Sequence, residues 1–253
     1  MARRNEDENS TEEKQVTETT VNDVLKTPII LLIGAPDSME LCGLSIAQWD
    51  KYFPGYPTLV VGKYKELPAI DFEPSNDSDV NFANILAAIV ADECVPEQFI
   101  LSPVSTFPVN EVSESDLTGL HCISVGLQNQ QLSCMKNMSE LACTRQLKKE
   151  GWENVFNYET GLPVLMEKSK VKILFEKFNP QKYPTKVMSL YLNYFNKNQK
   201  PVPVHFGSGV FATRVLRLNP NINIVKKGLQ EGLFFTLNND GYSAVKVFFL
   251  TEK

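Results

Sequence analysis

Ile29-Ile30-Leu31-Leu32-Ile33 is an unbroken apolar run closed by Gly34. A strand wetted on one face alternates apolar and polar residues, so a run with no polar member has to bury both faces. That requirement points to an interior strand of a parallel sheet with helices on either side. Thr58-Leu59-Val60-Val61-Gly62 and Phe99-Ile100-Leu101 repeat the signal. Between the first two runs, Met39–Phe53 places Leu41, Leu44 and Gln48 on one helical face, with Ile46 and Trp49 beside it. Asp37 or Ser38 can cap that helix, and Pro54-Gly55 stops it. Strand, helix and strand at this spacing form a right-handed βαβ unit. The expected fold class is α/β: a Rossmann-like, mostly parallel sheet flanked by helices.

The remaining chain adds helices more than strands. Phe82, Ile85, Leu86, Ile89 and Val90 fall at helical spacing within Val80–Cys94. Glu114–Leu120 reads as a short helix and His121–Val125 as a strand. Helical patterns return over Ser133–Lys149 and Lys168–Phe178. Tyr183–Phe195 carries Tyr191, Tyr194 and Phe195 at a spacing suited to helix packing. After Pro201–Val204 the chain reads as β. Leu233–Leu237 and Val245–Leu250 are apolar segments that close the core, and Asn238-Asn239-Asp240-Gly241 is a turn signal between them. Gly207-Ser208-Gly209 lacks the third glycine of a phosphate loop.

Charge and composition narrow the function classes. The 253 residues carry a net charge of −5, which disfavours a nucleic-acid-binding basic surface. No apolar run approaches the roughly 20 residues of a membrane span, and the polar N-terminus has no secretory h-region. Cys42, Cys94, Cys122, Cys134 and Cys143 are scattered without a C-x-x-C pair, as reduced core thiols are. His121 and His205 give a structural zinc site little to build on. Residues 1–26 are acidic and polar, almost without large apolar side chains before Val21. They are expected to be an extended arm that needs a partner chain to hold it, ahead of one α/β domain over residues 27–253.

The stretch Pro96–Val112, PEQFILSPVSTFPVNEV, has the shape of a strand running into a catalytic loop, yet carries no catalytic side chain there. Ser102, Ser105 and Thr106 offer neutral hydroxyls, and valine cannot ligate a cation. Acidic residues cluster at Asp71, Glu73, Asp77 and Asp79, where a solvated loop is the expected role.

Three passages together resemble a group of phage and bacterial glycosyltransferase-like proteins related to the Stealth-type sugar-phosphate transferases. SMELCGLSIAQWDKYFPGYPTLVVG is similar to that group's opening helix and strand. NDSDVNFANILAAIVADECVPEQFILSPVSTFPVNEV is similar to its helix, strand and acidic-loop block. NYETGLPVLMEKSKVKILFEKF is similar to its NYE-x-H-x-P passage and the helix after it. The likeness spans about Pro28 to Phe195 and implies a GT-A-like fold. Phe99, Phe107, Asn157, Tyr158, Glu159 and Pro163 match the group's framework, but Val104 and Ser105 stand where it has its metal-binding acidic pair, and Gly161 where it has a histidine.

The resemblance therefore implies a scaffold without its chemistry: no catalytic residue, no metal ligand and no cofactor. The expected role is a structural or adaptor protein of a bacteriophage virion, made in the host cytoplasm. Its partners are other protein chains, in homo- and hetero-oligomeric contact through residues 1–26, with neither membrane span nor nucleic acid. Two alternatives stay open. One is an active sugar or sugar-phosphate transferase drawing on Asp77, Asp79 and Glu159. The other is a sugar- or nucleotide-binding module without turnover, with Tyr183–Phe195 and the acidic loop supplying contacts.

Overall fold

A computed structural model describes residues 27–33, 39–62, 69–125, 136–206 and 211–250. The arm of residues 1–26, the cap candidates Asp37 and Ser38, Cys134 and Gly207-Ser208-Gly209 lie outside the described residues.

The main sheet has five strands: β1 (Ile29–Leu32), β2 (Thr58–Val61), β3 (Ala69–Ile70), β4 (Gln98–Pro103) and β9 (Val164–Glu167), in the order β3-β2-β1-β4-β9. The first four are parallel, and β9 runs antiparallel to β4. Alternation along β1 explains its composition. Ile29 and Leu31 point into one apolar core and Ile30 into a second on the opposite face. β4 divides likewise, with Ile100 on the first side and Phe99 and Leu101 on the second. The second core is covered by α2 (Ser78–Ala91), α4 (Lys136–Lys149), α5 (Lys168–Phe178) and α6 (Val187–Phe195).

On the first face the helix α1 (Met39–Tyr52) shares its core with a smaller sheet. β5 (Thr106–Pro108) and β11 (Ala212–Val215) flank β12 (Phe234–Leu237), in the order β11-β12-β5. Trp49, Phe107, Phe234 and Phe235 are fully enclosed there. Short strands β6 (His121–Cys122) and β7 (Ser124–Val125) take the place of the single strand expected over His121–Val125. They pair with β10 (Val202–Pro203) and β8 (Phe156–Asn157) respectively. α3 (Glu114–Thr118) is the short helix that was expected.

The architecture is thus the expected α/β one, with a mostly parallel sheet and helices on both faces. The C-terminal part corrects the all-β expectation. Ile222–Glu231 is helix α7 and Asn239–Leu250 is helix α8. Asn238-Asn239-Asp240-Gly241 is not a hairpin turn between strands. The Asn238 side-chain oxygen accepts the Gly241 N–H at 2.8 Å, so the asparagine starts a helix.

Helix α7 lies against β11 through Gly228. A Cβ there would sit 2.2 Å from the Thr213 hydroxyl oxygen and 2.8 Å from the Phe235 ring. Gly228→Ala gains helix propensity but has to push the helix off the sheet. We expect a net loss of about 1–3 kcal/mol of stability in denaturant unfolding, where an exposed helical glycine would gain up to about 1 kcal/mol from the same change.

Candidate functional site

The strand end that would carry a catalytic pair is closed. Val104 is fully buried and shares its core with Leu31, Phe107, Leu162 and Phe234. Its backbone N–H donates to the Leu32 carbonyl at 2.9 Å, extending the β1–β4 ladder by one bond. The Ser105 carbonyl accepts the Leu237 N–H at 2.8 Å, which ties the turn to the smaller sheet. The nearby hydroxyls are spent internally. Ser102 Oγ donates to the Thr106 carbonyl at 3.0 Å, and Thr106 Oγ1 lies 3.1 Å from Thr236 Oγ1. A cation needs several oxygens turned outward at one point; Ser102 and Thr106 direct theirs into the fold, and Ser105 is half-buried.

Of the acidic residues named from sequence, Asp71 and Glu73 are exposed, as in a solvated loop, while Asp77, Asp79 and Glu159 take structural positions. Asp77 is the N-cap of α2, and its Oδ1 accepts the N–H groups of Asp79 at 2.9 Å and Val80 at 3.1 Å. Asp79 pairs with Lys186 at 2.8 Å. Among the described residues no cluster of three or more His, Cys, Asp or Glu side chains could hold a metal ion. Of the three carboxylates considered, the fold gathers Asp79 and Glu159 around Lys186 and leaves Asp77 to its helix.

Glu159 is half-buried against the start of α6. Lys186, the residue before α6, gives that helix no side-chain cap. Glu159 supplies one from a distant part of the chain. Its Oε1 accepts the Ser189 N–H at 3.0 Å and the Ser189 hydroxyl at 2.9 Å. A carboxylate beside free N–H groups at a helix start is favourable. Ser189 Oγ in turn accepts the Tyr158 N–H at 3.0 Å. Four residues on, Asn193 accepts the Phe156 N–H at 2.9 Å and donates to the Phe156 carbonyl at 2.8 Å. Two buried polar side chains on one face of α6 thus hold the whole Phe156–Glu159 passage. Sequence reading passed over both, although a Ser and an Asn four apart in VMSLYLNYF are a legible polar stripe on an apolar helix.

The passage then turns at Gly161, which is exposed and has φ +68°. A Cβ there would meet nothing within 4 Å, and any L side chain would carry a left-handed cost of about 1–2 kcal/mol. The aromatic stretch is mostly packing, with Tyr183 exposed at its start. Tyr191 is buried, and Tyr194 stacks on Trp152 with ring centroids 5.3 Å apart. Cys122 and Cys143 are buried, and Cys94 is exposed.

No family profile matches the chain, and no curated protein does. Among solved structures, one is a glycosyltransferase involved in the glycosylation of the major capsid of PBCV-1. It aligns over 83% of this chain and 93% of its own, with 10% sequence identity and a TM-score of 0.40. No helix among the described residues is long and apolar enough to cross a membrane.

Burial raises the Glu159 pKa above its ordinary 4.5, against the lowering effect of the Ser189 hydrogen bonds and the Lys186 charge. A carboxyl that holds its proton more tightly when folded adds stability at low pH. That contribution is full below about 4.5, the unfolded value, and fades as pH rises through the folded one. We expect Glu159→Gln to remove this dependence. The wild type minus variant difference in unfolding free energy, followed by urea titration from pH 4 upward, should fall as pH rises.

Proposed function

We propose that this chain is a glycosyltransferase-like domain without metal-dependent transfer chemistry, working as a structural or adaptor protein. The observation that carries the reading is the burial of Val104. Where the related transferases place a metal-binding carboxylate, this chain puts a core methyl group and a backbone bond to Leu32. A cation bridging a diphosphate supplies most of the leaving-group stabilisation in such transfers, and the turn has no group to hold it. The engagement of Asp77, Asp79 and Glu159 in capping and pairing counts against their serving as a substitute site.

An adaptor needs partners, and residues 1–26 are our candidate contact. Their acidic, polar composition suits an arm that orders against another chain. We place that assembly in a phage particle, on the resemblance of Pro28 to Phe195 to phage proteins.

Two experiments test the reading. In the first, the full-length protein is titrated calorimetrically with a panel of nucleotide sugars, with and without Mn²⁺. We expect no metal-dependent heat; metal-dependent binding in the micromolar range would overturn the proposal. Restoring the acidic pair with Val104→Asp and Ser105→Asp should cost about 3–5 kcal/mol of stability, because the first carboxylate enters the core unpaired. In the second, residues 1–26 should resist protease only within the native assembly. Equal cleavage inside and outside it would remove the arm from the account.

A further inference from the structure

A cavity of about 360 Å³ opens beside β11, bounded by the segment that follows the strand and by the start of α7. Nothing in the functional reading uses it. Its walls include Phe206, Leu216, Ile224 and Val225, and its charged lining is Arg214 and Arg217. Among the described residues, no acidic side chain lines the cavity and neither arginine has an ion-pair partner. In a chain of net charge −5 this is a local reversal of sign.

Arg214 is held in place. One Nη2 hydrogen bond reaches the Thr160 carbonyl at 2.9 Å, and the guanidinium lies 3.8 Å from the centroid of the Phe206 ring. Guanidinium carries five N–H donors, so most remain for another acceptor. Burial pushes its pKa down, with no carboxylate to offset the loss of water. Arg214 is nonetheless solvent-exposed, so its remaining N–H groups are open to an acceptor from solution, and the Phe206 face restricts the orientation of the guanidinium. Planar guanidinium groups match the paired oxygens of a carboxylate or phosphate. The N-terminal end of α7 lies at the same wall. Asn221 already caps the Asn223 N–H at 3.1 Å, so the helix adds favourable field there.

The geometry points to a binding site for a small oxyanion: its carboxylate or phosphate meets Arg214 and Arg217, and its apolar body rests on Leu216 and Ile224. The site stands whether or not the domain transfers sugars, since it shares no residue with the Val104–Ser105 turn.

The test uses the full-length protein and three probes of similar size: phenyl phosphate, benzoate and the neutral benzyl alcohol. Calorimetry should show saturable binding of at least one anion, weakening as salt rises, and none of the alcohol. Which anion binds more tightly identifies the oxyanion. Arg217→Gln leaves the Thr160 contact intact and should weaken binding about tenfold or more. Arg214→Gln should abolish it, and if that variant fails to fold, Arg217→Gln decides the matter. No binding of either anion at about 10 mM would overturn the site, as would affinity unchanged in Arg217→Gln.

Discussion

The backbone hydrogen bonds at Val104 and Ser105 join the two sheets of this protein. One runs back into β1 through Leu32, and the other runs across to β12 through Leu237. Between them the Val104 side chain fills the core that α1 and both sheets share. Interiors are packed to crystal-like density, so such a position tolerates neither a change of volume nor an unpaired charge. The backbone bonds would allow other side chains, but a carboxylate at position 104 would have to enter that core, so this position cannot both fill it and hold a cation. The chemistry available at this end of the parallel sheet follows from that exclusion.

Elsewhere the fold uses its polar groups to fasten irregular chain to regular elements. The Phe156–Glu159 passage has little ladder of its own, only the two-residue β8 pairing with β7. Ser189 and Asn193 hold it through the backbone N–H groups of Phe156 and Tyr158 and the Phe156 carbonyl. Glu159 completes the arrangement by capping α6, and the charge pair of Asp79 with Lys186 borders it. These side chains look like a reaction centre when read as letters. In three dimensions each has a backbone group or a partner charge to satisfy.

How much of this was legible depended on the range of the signal. β1, β2 and β4 could be read because two-sided burial forces continuous apolar runs, and α1, α2 and α5 because their apolar residues recur at helical spacing. The loss of ligands at Val104 was visible as residue types alone. α8 was misread because Asn-Asn-Asp-Gly is equally a turn and a helix start, and only the Asn238 bond to Gly241 decides between them. α7 was missed although Pro220 and Asn221 stand at its start, since Gly228 in its last turn reads as a breaker and its reason is the close approach to Thr213. The pairing of Glu159 with Ser189 spans 30 residues, and no local pattern announces it.

The account rests on the Val104–Ser105 turn being part of the rigid body, and amide hydrogen exchange reads that directly. The Val104 and Leu237 N–H groups should exchange in the slowest class, together with those of Leu31 and Ile100, through global unfolding. Fast exchange at Val104 and Leu237 while Leu31 and Ile100 stay protected would show a turn that opens on its own. A turn that opens can admit a cation and a donor, and that result would contradict the account.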